Sequence, residues 1–258
     1  MAEIHSTAII SERAQISDDV SIGPYSVIEG PAKIGSGTKI SSHVLITGDT
    51  SIGENCIIHN GVVIGSVPQD LKFGGEETKV EIGDNNNIRE YVTINRGTLE
   101  SGVTKIGDNC LLMAYAHVAH DCRLGDYVIM ANTVQLAGHV HLHDYAIIGG
   151  VTAIRQFVSI GAHSMVGGSY RVVQDVCPYA LAAGYPLAIR GINSIGLRRR
   201  GFLRETLATI KSAFKILFHS EYNTTDALVK IEEELPKIEE IKTIVDFIKA
   251  SRCGITKK

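Results

Sequence analysis

The chain has 258 residues, enough to bury a sizeable core without disulfide or metal support, and its net charge of −3 with a pI of ≈ 6.4 offers nucleic acid no general attraction. Its amino terminus lacks the basic and then apolar pattern of a leader, and no run of about 18 apolar residues occurs, so neither export nor a membrane span is expected and a cytoplasmic location is. The five cysteines, Cys56, Cys110, Cys122, Cys177 and Cys253, have no CxxC spacing and read as reduced, mostly buried thiols.

From the amino terminus one period organises the chain. Every sixth residue from Ile4 to Ile64 is isoleucine, eleven in succession. The same phase resumes at Ile82 and runs, as Ile, Leu, Val or Met, to Val172, interrupted within 4–172 only by Asp70, Glu76 and Glu100. A helix repeats every 3.6 residues and a strand every two, so a period of six fits neither alone. It fits a solenoid of short parallel strands, each burying one aliphatic side chain, better than it fits a chance run of antiparallel strands. Glycine often follows the marked aliphatic, as at Gly23, Gly35 and Gly53, and an absence of Trp beside 26 glycines suits such a turn-rich scaffold. Three hexads are expected to close one triangular coil of 18 residues. The spacing does not set the hand, and the general rule for parallel crossovers favours a right-handed turn.

The interruptions near 66–78 and 97–104 return in register, so they are expected to protrude as loops from a continuous β-helix. The repeat domain is expected to span residues 1–178, a Gly/Pro-containing connector 179–195, and a helical domain 196–258. Leu203, Leu207, Ile210, Phe214 and Leu217 mark the buried stripe of one helix. Thr225-Asp226 offers the start of a second, and Pro236 the first turn of a third. The helices are expected to cover the end of the solenoid, whose strand edges need a cap.

The segment 116–122, AHVAHDC, and the segment 136–140, LAGHV, concentrate imidazoles on the repeat. His120, Gly138 and Gln156 are 18 apart and should stack in one column, about 4.8 Å per coil, with Asp121 and His139 stacked beside them. An imidazole is the natural general base near neutral pH, which makes His120 the candidate. A glycine one coil away lets a backbone N–H approach a developing oxyanion, and Gly138 fits that role. Spacing leaves open whether Asp121 meets His120, His139 or solvent. A single histidine here would read as part of a solvated face; the grouping with Asp and Gly argues for chemistry. His5, His43, His59, His141, His143, His163 and His219 lack such company and read as surface or packing residues.

Together with Pro68-Gln69-Asp70-Leu71-Lys72, Ile88-Arg89-Glu90, Gln156-Phe157 and Arg199-Arg200-Gly201-Phe202, these segments resemble the UDP-N-acetylglucosamine O-acyltransferases of lipid A biosynthesis over nearly the whole chain. The resemblance implies a left-handed parallel β-helix with a C-terminal α-helical domain, working as a homotrimer with active sites between helices. It implies that His120 deprotonates the sugar 3-hydroxyl, which attacks the thioester of a 3-hydroxyacyl chain on the 4′-phosphopantetheine of acyl carrier protein, while the Gly138 amide stabilises the intermediate. No metal or other cofactor is implied. Asp70, Lys72, His117, His139, Gln156 and Asn193 occupy sugar, phosphate or acyl-chain positions of the family, and Arg199 and Arg200 positions near the nucleotide or donor. Lys72 also reads as a solvated loop charge, and Arg198-Arg199-Arg200 as an attraction for an acidic carrier. The loop with Asp70 and Lys72 is expected to reach across to a neighbouring subunit. Gly168 matches the position that limits acyl length, where glycine leaves the groove open for a long chain. Arg155 and Ile195 depart from the family's usual His and Glu, and Ile195 leaves room for a 3-amino sugar acceptor and an amide product. Two other classes compete: a γ-type carbonic anhydrase with zinc on His117, His120 and His139, which stoichiometric zinc would reveal, and a non-catalytic scaffold.

Overall fold

A computed structural model describes residues 2–257. Each hexad contributes a strand of two or a few residues, and successive strands fall on three different faces of a left-handed parallel β-helix. Every third strand therefore lies in the same sheet, giving sheets of nine, nine and eight strands, the first of which is extended to eleven by Ala180–Ala183 and Ala188–Ile192. The first face begins with Glu3–Ile4, the second with Ile9–Ile10 and the third with Gln15–Ile16. Register is constant: His117 pairs with Gln135, Gln135 with Ala153 and Ala153 with Arg171, each 18 residues on.

The marked aliphatics face the axis and form one apolar shaft; Ile94, Val118, Leu136 and Ile154 are all at most 2 % exposed. Stacking these side chains coil on coil is the hydrophobic gain that holds strands too short to be stable alone. The bend between faces has a specific backbone solution. The third residue after the marked aliphatic takes a left-handed conformation at many corners, as at His43 (φ 58), Asn109 (φ 58) and Val151 (φ 58). That conformation costs a non-glycine residue about 1–2 kcal/mol, so the corners are held by the ladders on either side. Coils also approach closely: a Cβ on Gly23 would lie 2.8 Å from the carbonyl carbon of Ser41. Four of the five cysteines are buried and all are free, and burial pushes the thiols of Cys110, Cys122 and Cys177 up to about 12.

Both interruptions leave the helix as loops, between strands Val63–Ser66 and Lys79–Ile82 and between Thr93–Asn95 and Val103–Ile106. Within 179–195, where a connector is expected, the chain instead extends the first face: Ala180–Ala183 runs parallel to Met165–Val166 and pairs antiparallel with Ala188–Ile192. Four helices follow, α1 (Ser194–Arg199), α2 (Arg204–His219), α3 (Thr224–Glu234) and α4 (Glu239–Ala250). Leu207, Ile210, Phe214 and Leu217 are buried on α2 as the stripe predicts, but Leu203 is 68 % exposed because it is the extended N-cap residue. The start of α3 is set by Asn223, whose side chain accepts from the Asp226 N–H (2.9 Å), and α4 begins three residues after Pro236 because Ile238 N–H turns back to the Pro236 carbonyl (2.9 Å). The chain end is stitched to the top of the solenoid: Asp175 accepts from Ser251 Oγ (2.6 Å), and its backbone exchanges bonds with Gly254 and Thr256. No described helix is long and apolar enough to cross a membrane.

Candidate active site

The site lies on the corner between the second and third faces. His117 sits on the second-face strand His117–Val118, and His120 and Asp121 form the bend before the third-face strand Arg123–Leu124. The coil stacking places Gly138 directly against His120: a Cβ at 138 would touch the ring at Cε1 and lie 2.6 Å from Nε2. His139 N–H donates to the His120 carbonyl (3.0 Å), and Phe157 N–H to that of Gly138 (3.3 Å), so the columns expected from spacing are present. Asp121, His139 and Phe157 are the left-handed residues of three successive coils. His139 stacks on Phe157 with ring centroids 4.5 Å apart and meets His120 edge-on at 5.1 Å, which fixes both imidazoles in a rigid aromatic column.

The open question about Asp121 is answered by geometry. Its Oδ2 is 2.8 Å from His120 Nδ1 and 3.6 Å from His139 Nε2, and its side chain is fully buried. Burial by itself would raise the Asp121 carboxyl, but hydrogen bonds from Ser101, His120 and Thr98 outweigh it and hold the group at about 2. Such a carboxylate is ionised and can only accept, so His120 Nδ1 carries the proton and the basic lone pair is at Nε2. The ring nitrogen left free to accept a further proton is thus Nε2.

His120 opens into a cavity of ≈ 580 Å³ lined also by Asp70 and Lys72 of the first loop, Glu100 of the second, and His139 and Gln156 of the corner. Asp70 and Lys72 therefore line the same cavity as the His120 of their own chain. The loop folds back because its base is tied down: Arg96 N–H donates to the Ser66 carbonyl (3.0 Å), Asn95 Nδ2 to that of Val67 (3.0 Å), and the Arg96 guanidinium lies 5.4 Å over the Phe73 ring. Asp70 also orders the turn, accepting from the Lys72 N–H (3.0 Å). His117 is near but turned to the strand, its Nδ1 2.7 Å from Thr93 Oγ1, and burial, then the neighbouring His120, hold its pKa below the ordinary range.

Three expected contacts lie elsewhere. Arg200 packs on the corner between the third and first faces, its guanidinium 4.9 Å from the Tyr145 ring and donating to the Tyr145 carbonyl (3.1 Å). Asn193 caps α1, accepting from the Gly196 N–H (3.2 Å) and donating to the His163 carbonyl (3.0 Å). Arg199 is exposed at the end of the same helix. Within one chain these residues do not meet His120, because the third face lies between their corners. Gly168 lies on the remaining corner, between the first and second faces, where a Cβ would stand 3.0 Å from the Gly150 carbonyl oxygen. Arg155 is exposed on a second groove, of ≈ 460 Å³, which shares Gln156 and Phe157 with the first cavity; Ile195 is 63 % exposed on α1. Thr98 and Ser101 escaped the sequence reading, and Phe157 entered it only as the neighbour of Gln156, not as the stacking partner of His139. The spacing of 18 that pairs Asp121 with His139 would have found Phe157, whereas the two loop residues have no phase.

The chain is matched over residues 175–256 by the family model for UDP N-acetylglucosamine O-acyltransferase, domain 2, and over 13–48, 31–66 and 104–138 by that for the bacterial transferase hexapeptide. It is 50% identical over 256 residues to an acyl carrier protein-dependent UDP-N-acetylglucosamine O-acyltransferase of Thermodesulfovibrio yellowstonii, covering 99% of both chains. An enzyme of the same name from Aquifex aeolicus is 57% identical over 256 residues, covering 99% of this chain and 98% of that one. The chain belongs to the UDP-N-acetylglucosamine O-acyltransferase family. Among solved structures of this family, that of the Bacteroides fragilis enzyme superposes with a TM-score of 0.96 at 45% identity, covering 97% of this chain and 98% of that one. The Francisella novicida enzyme gives 0.97 at 39% identity, covering 99% and 94%.

Membership in this acyltransferase family weighs against the zinc reading, and so does the geometry. Among the described residues, the group with metal-ligating spacing is His120, Asp121 and His139, all within 4.8 Å, rather than three histidines. His117 is engaged by Thr93, and both Asp121 oxygens are already taken by Thr98, Ser101 and His120. An acyltransferase needs that donor set in another form: a base, its orienting carboxylate, and an amide. The Gly138 N–H has no acceptor among the described residues.

Proposed function

We propose that the protein transfers a long 3-hydroxyacyl chain from acyl carrier protein to the 3-hydroxyl of UDP-N-acetylglucosamine, with no metal or other cofactor, as an early step of lipid A biosynthesis in the cytoplasm. The observation that carries this reading is the His120 ring, tied at Nδ1 to a buried Asp121 and open to a cavity with Asp70, Lys72 and Gln156. His120 Nε2 takes the proton of the sugar hydroxyl as its oxygen forms a bond to the thioester carbon. The Gly138 amide faces the resulting oxyanion. The intermediate collapses with cleavage of the C–S bond, and His120 returns its proton to the departing thiolate. Asp121 keeps the imidazole in one tautomer throughout and balances its transient charge.

Lys72 and His139 offer cationic or donor groups to phosphate and sugar, and Gln156 stands at the junction with the second groove. That groove is walled by Ala137, Ala153 and Phe157, as an acyl chain requires. Asn193, Arg199 and Arg200 support a homotrimer: one chain holds them away from His120, and a second copy would bring Arg199 to the nucleotide. Light scattering should then report three times the 27.8 kDa chain mass. Donor docking is supported by α2, where Arg204, Lys211, Lys215 and His219 are exposed on one side at helical spacing, a basic stripe suited to an acidic carrier.

The test is turnover of UDP-N-acetylglucosamine with a panel of 3-hydroxyacyl carrier proteins, with products read by mass spectrometry. A long-chain O-acyl product is expected. Amide formation on the 3-amino analogue, with none on the hydroxyl, would move the acceptor to the amino sugar. Gly168→Met is expected to shift the preferred donor in the same panel to a shorter chain, because a side chain there occupies the corner at the edge of the groove face.

A further inference from the structure

The second loop, residues 97–102, contains no strand, yet it aims three donors at one carboxylate. Thr98 N–H donates to Asp121 Oδ1 (3.0 Å), Thr98 Oγ1 donates to Oδ2 (2.7 Å), and Ser101 Oγ donates to Oδ1. With His120 Nδ1 on Oδ2, all the lone-pair positions of a fully buried carboxylate are used, about four in number. The Asp121 backbone is held as well, its N–H donating to Thr104 Oγ1 (2.9 Å). The loop is itself rigid: Gly102 N–H closes on the Thr98 carbonyl (2.8 Å), and a Cβ on Gly97 would collide with the backbone N of Val103. A loop that merely spanned the gap would leave its hydroxyls in water.

We propose that Thr98 and Ser101 are positioning residues that hold the Asp121 carboxylate against His120 Nδ1, so that the second loop builds the general base. The inference rests on His120 being that base. Hydrogen bonds to a charged group fix its direction as well as its energy. Removing them frees the carboxylate to rotate toward His139 Nε2, now 3.6 Å away, and the His120 ring loses its orientation. Each hydroxyl has one proton and gives it to Asp121, Ser101 Oγ in preference to the Val103 carbonyl at 2.9 Å because the charged acceptor makes the stronger bond, so neither can donate to substrate. The alternative is that Asp121 only anchors the loop.

Thr98→Val, Ser101→Ala and their combination separate these. The combined variant is expected to lower kcat by about tenfold to a hundredfold at saturating substrates, with KM for sugar and donor within about twofold. Thr98→Ser, which keeps the hydroxyl, should restore the rate. In an Asp121→Asn background the same substitutions should cause no further loss, because residues that act through one group are not additive. An unchanged kcat in a variant that still melts cooperatively, or losses that multiply in the Asp121→Asn background, would overturn the proposal. Should the combined variant not fold, the single variants carry the same test. His120→Ala in the same assay separates the two failures. Full turnover there removes the base assignment, whereas an inactive His120→Ala beside fully active Thr98 and Ser101 variants removes the positioning role alone.

Discussion

Replacement of His120 by Ala is expected to lower kcat by about two to four orders of magnitude, the usual value of a positioned general base, with little change in KM for either substrate. The reasoning is geometric. His120 is 5 % exposed, and its Nδ1 is occupied by Asp121, so proton transfer is expected to depend on Nε2, the ring nitrogen left free. His139 cannot substitute without losing its stacking on Phe157. The fold should survive, because the Asp121 carboxylate keeps its bonds from Thr98 and Ser101 and the apolar shaft is untouched. Single-turnover assays with product detection by mass spectrometry, beside a thermal melt, check both halves. A variant that melts normally and retains full turnover would exclude His120 as the base.

The second large effect is expected from the smallest change, Gly138→Ala. The backbone at 138 is not in the left-handed region, so alanine carries no backbone penalty there, and the expected cost in stability, about 1–3 kcal/mol, comes from crowding the held His120 ring. Its methyl group, however, would contact His120 Cε1 and lie 2.6 Å from Nε2, closer than real Cβ atoms approach, so the ring must move. Moving it displaces the base from the hydroxyl and screens the Gly138 amide at once. A loss of about 10²–10³ in kcat is expected, comparable with removing an oxyanion donor. Steady-state kinetics of the alanine variant against wild type decide it. Retained turnover would show that the ring has room the structure does not suggest, and with it that the glycine serves packing alone.

The effects differ in origin. His120→Ala deletes a chemical group, whereas Gly138→Ala deletes only its placement. A comparable loss from both is what a preorganised site predicts, since the contribution of the base depends on its being held within hydrogen-bond reach of the proton it takes.

The amino-acid sequence alone determined the solenoid, its period and its columns. An 18-residue coil with one buried aliphatic per strand allows a single register, because a slip would carry Ile94 or Leu136 out of the shaft, and so His120, Gly138 and Gln156 had to align. It also marked α2 through Leu207, Ile210, Phe214 and Leu217, since a helix packed on one side must repeat its apolar residues. Only the tertiary structure decided what lies outside that period. Thr98 and Ser101 sit in a loop with no phase, and nothing in their spacing to Asp121 foretells a hydrogen bond across 23 and 20 residues. The first loop turns back onto its own corner because Arg96 and Asn95 seize its base, a contact between irregular segments. Arg200 and Asn193 are drawn to Tyr145 and His163 because the hairpin Ala180–Ala183 and Ala188–Ile192 carries α1 to that corner. A repeating sequence specifies where each coil must lie, since the same burial is imposed at every turn. Loops and helix docking obey no repeating constraint, so their partners are set by whichever groups the finished scaffold brings within reach.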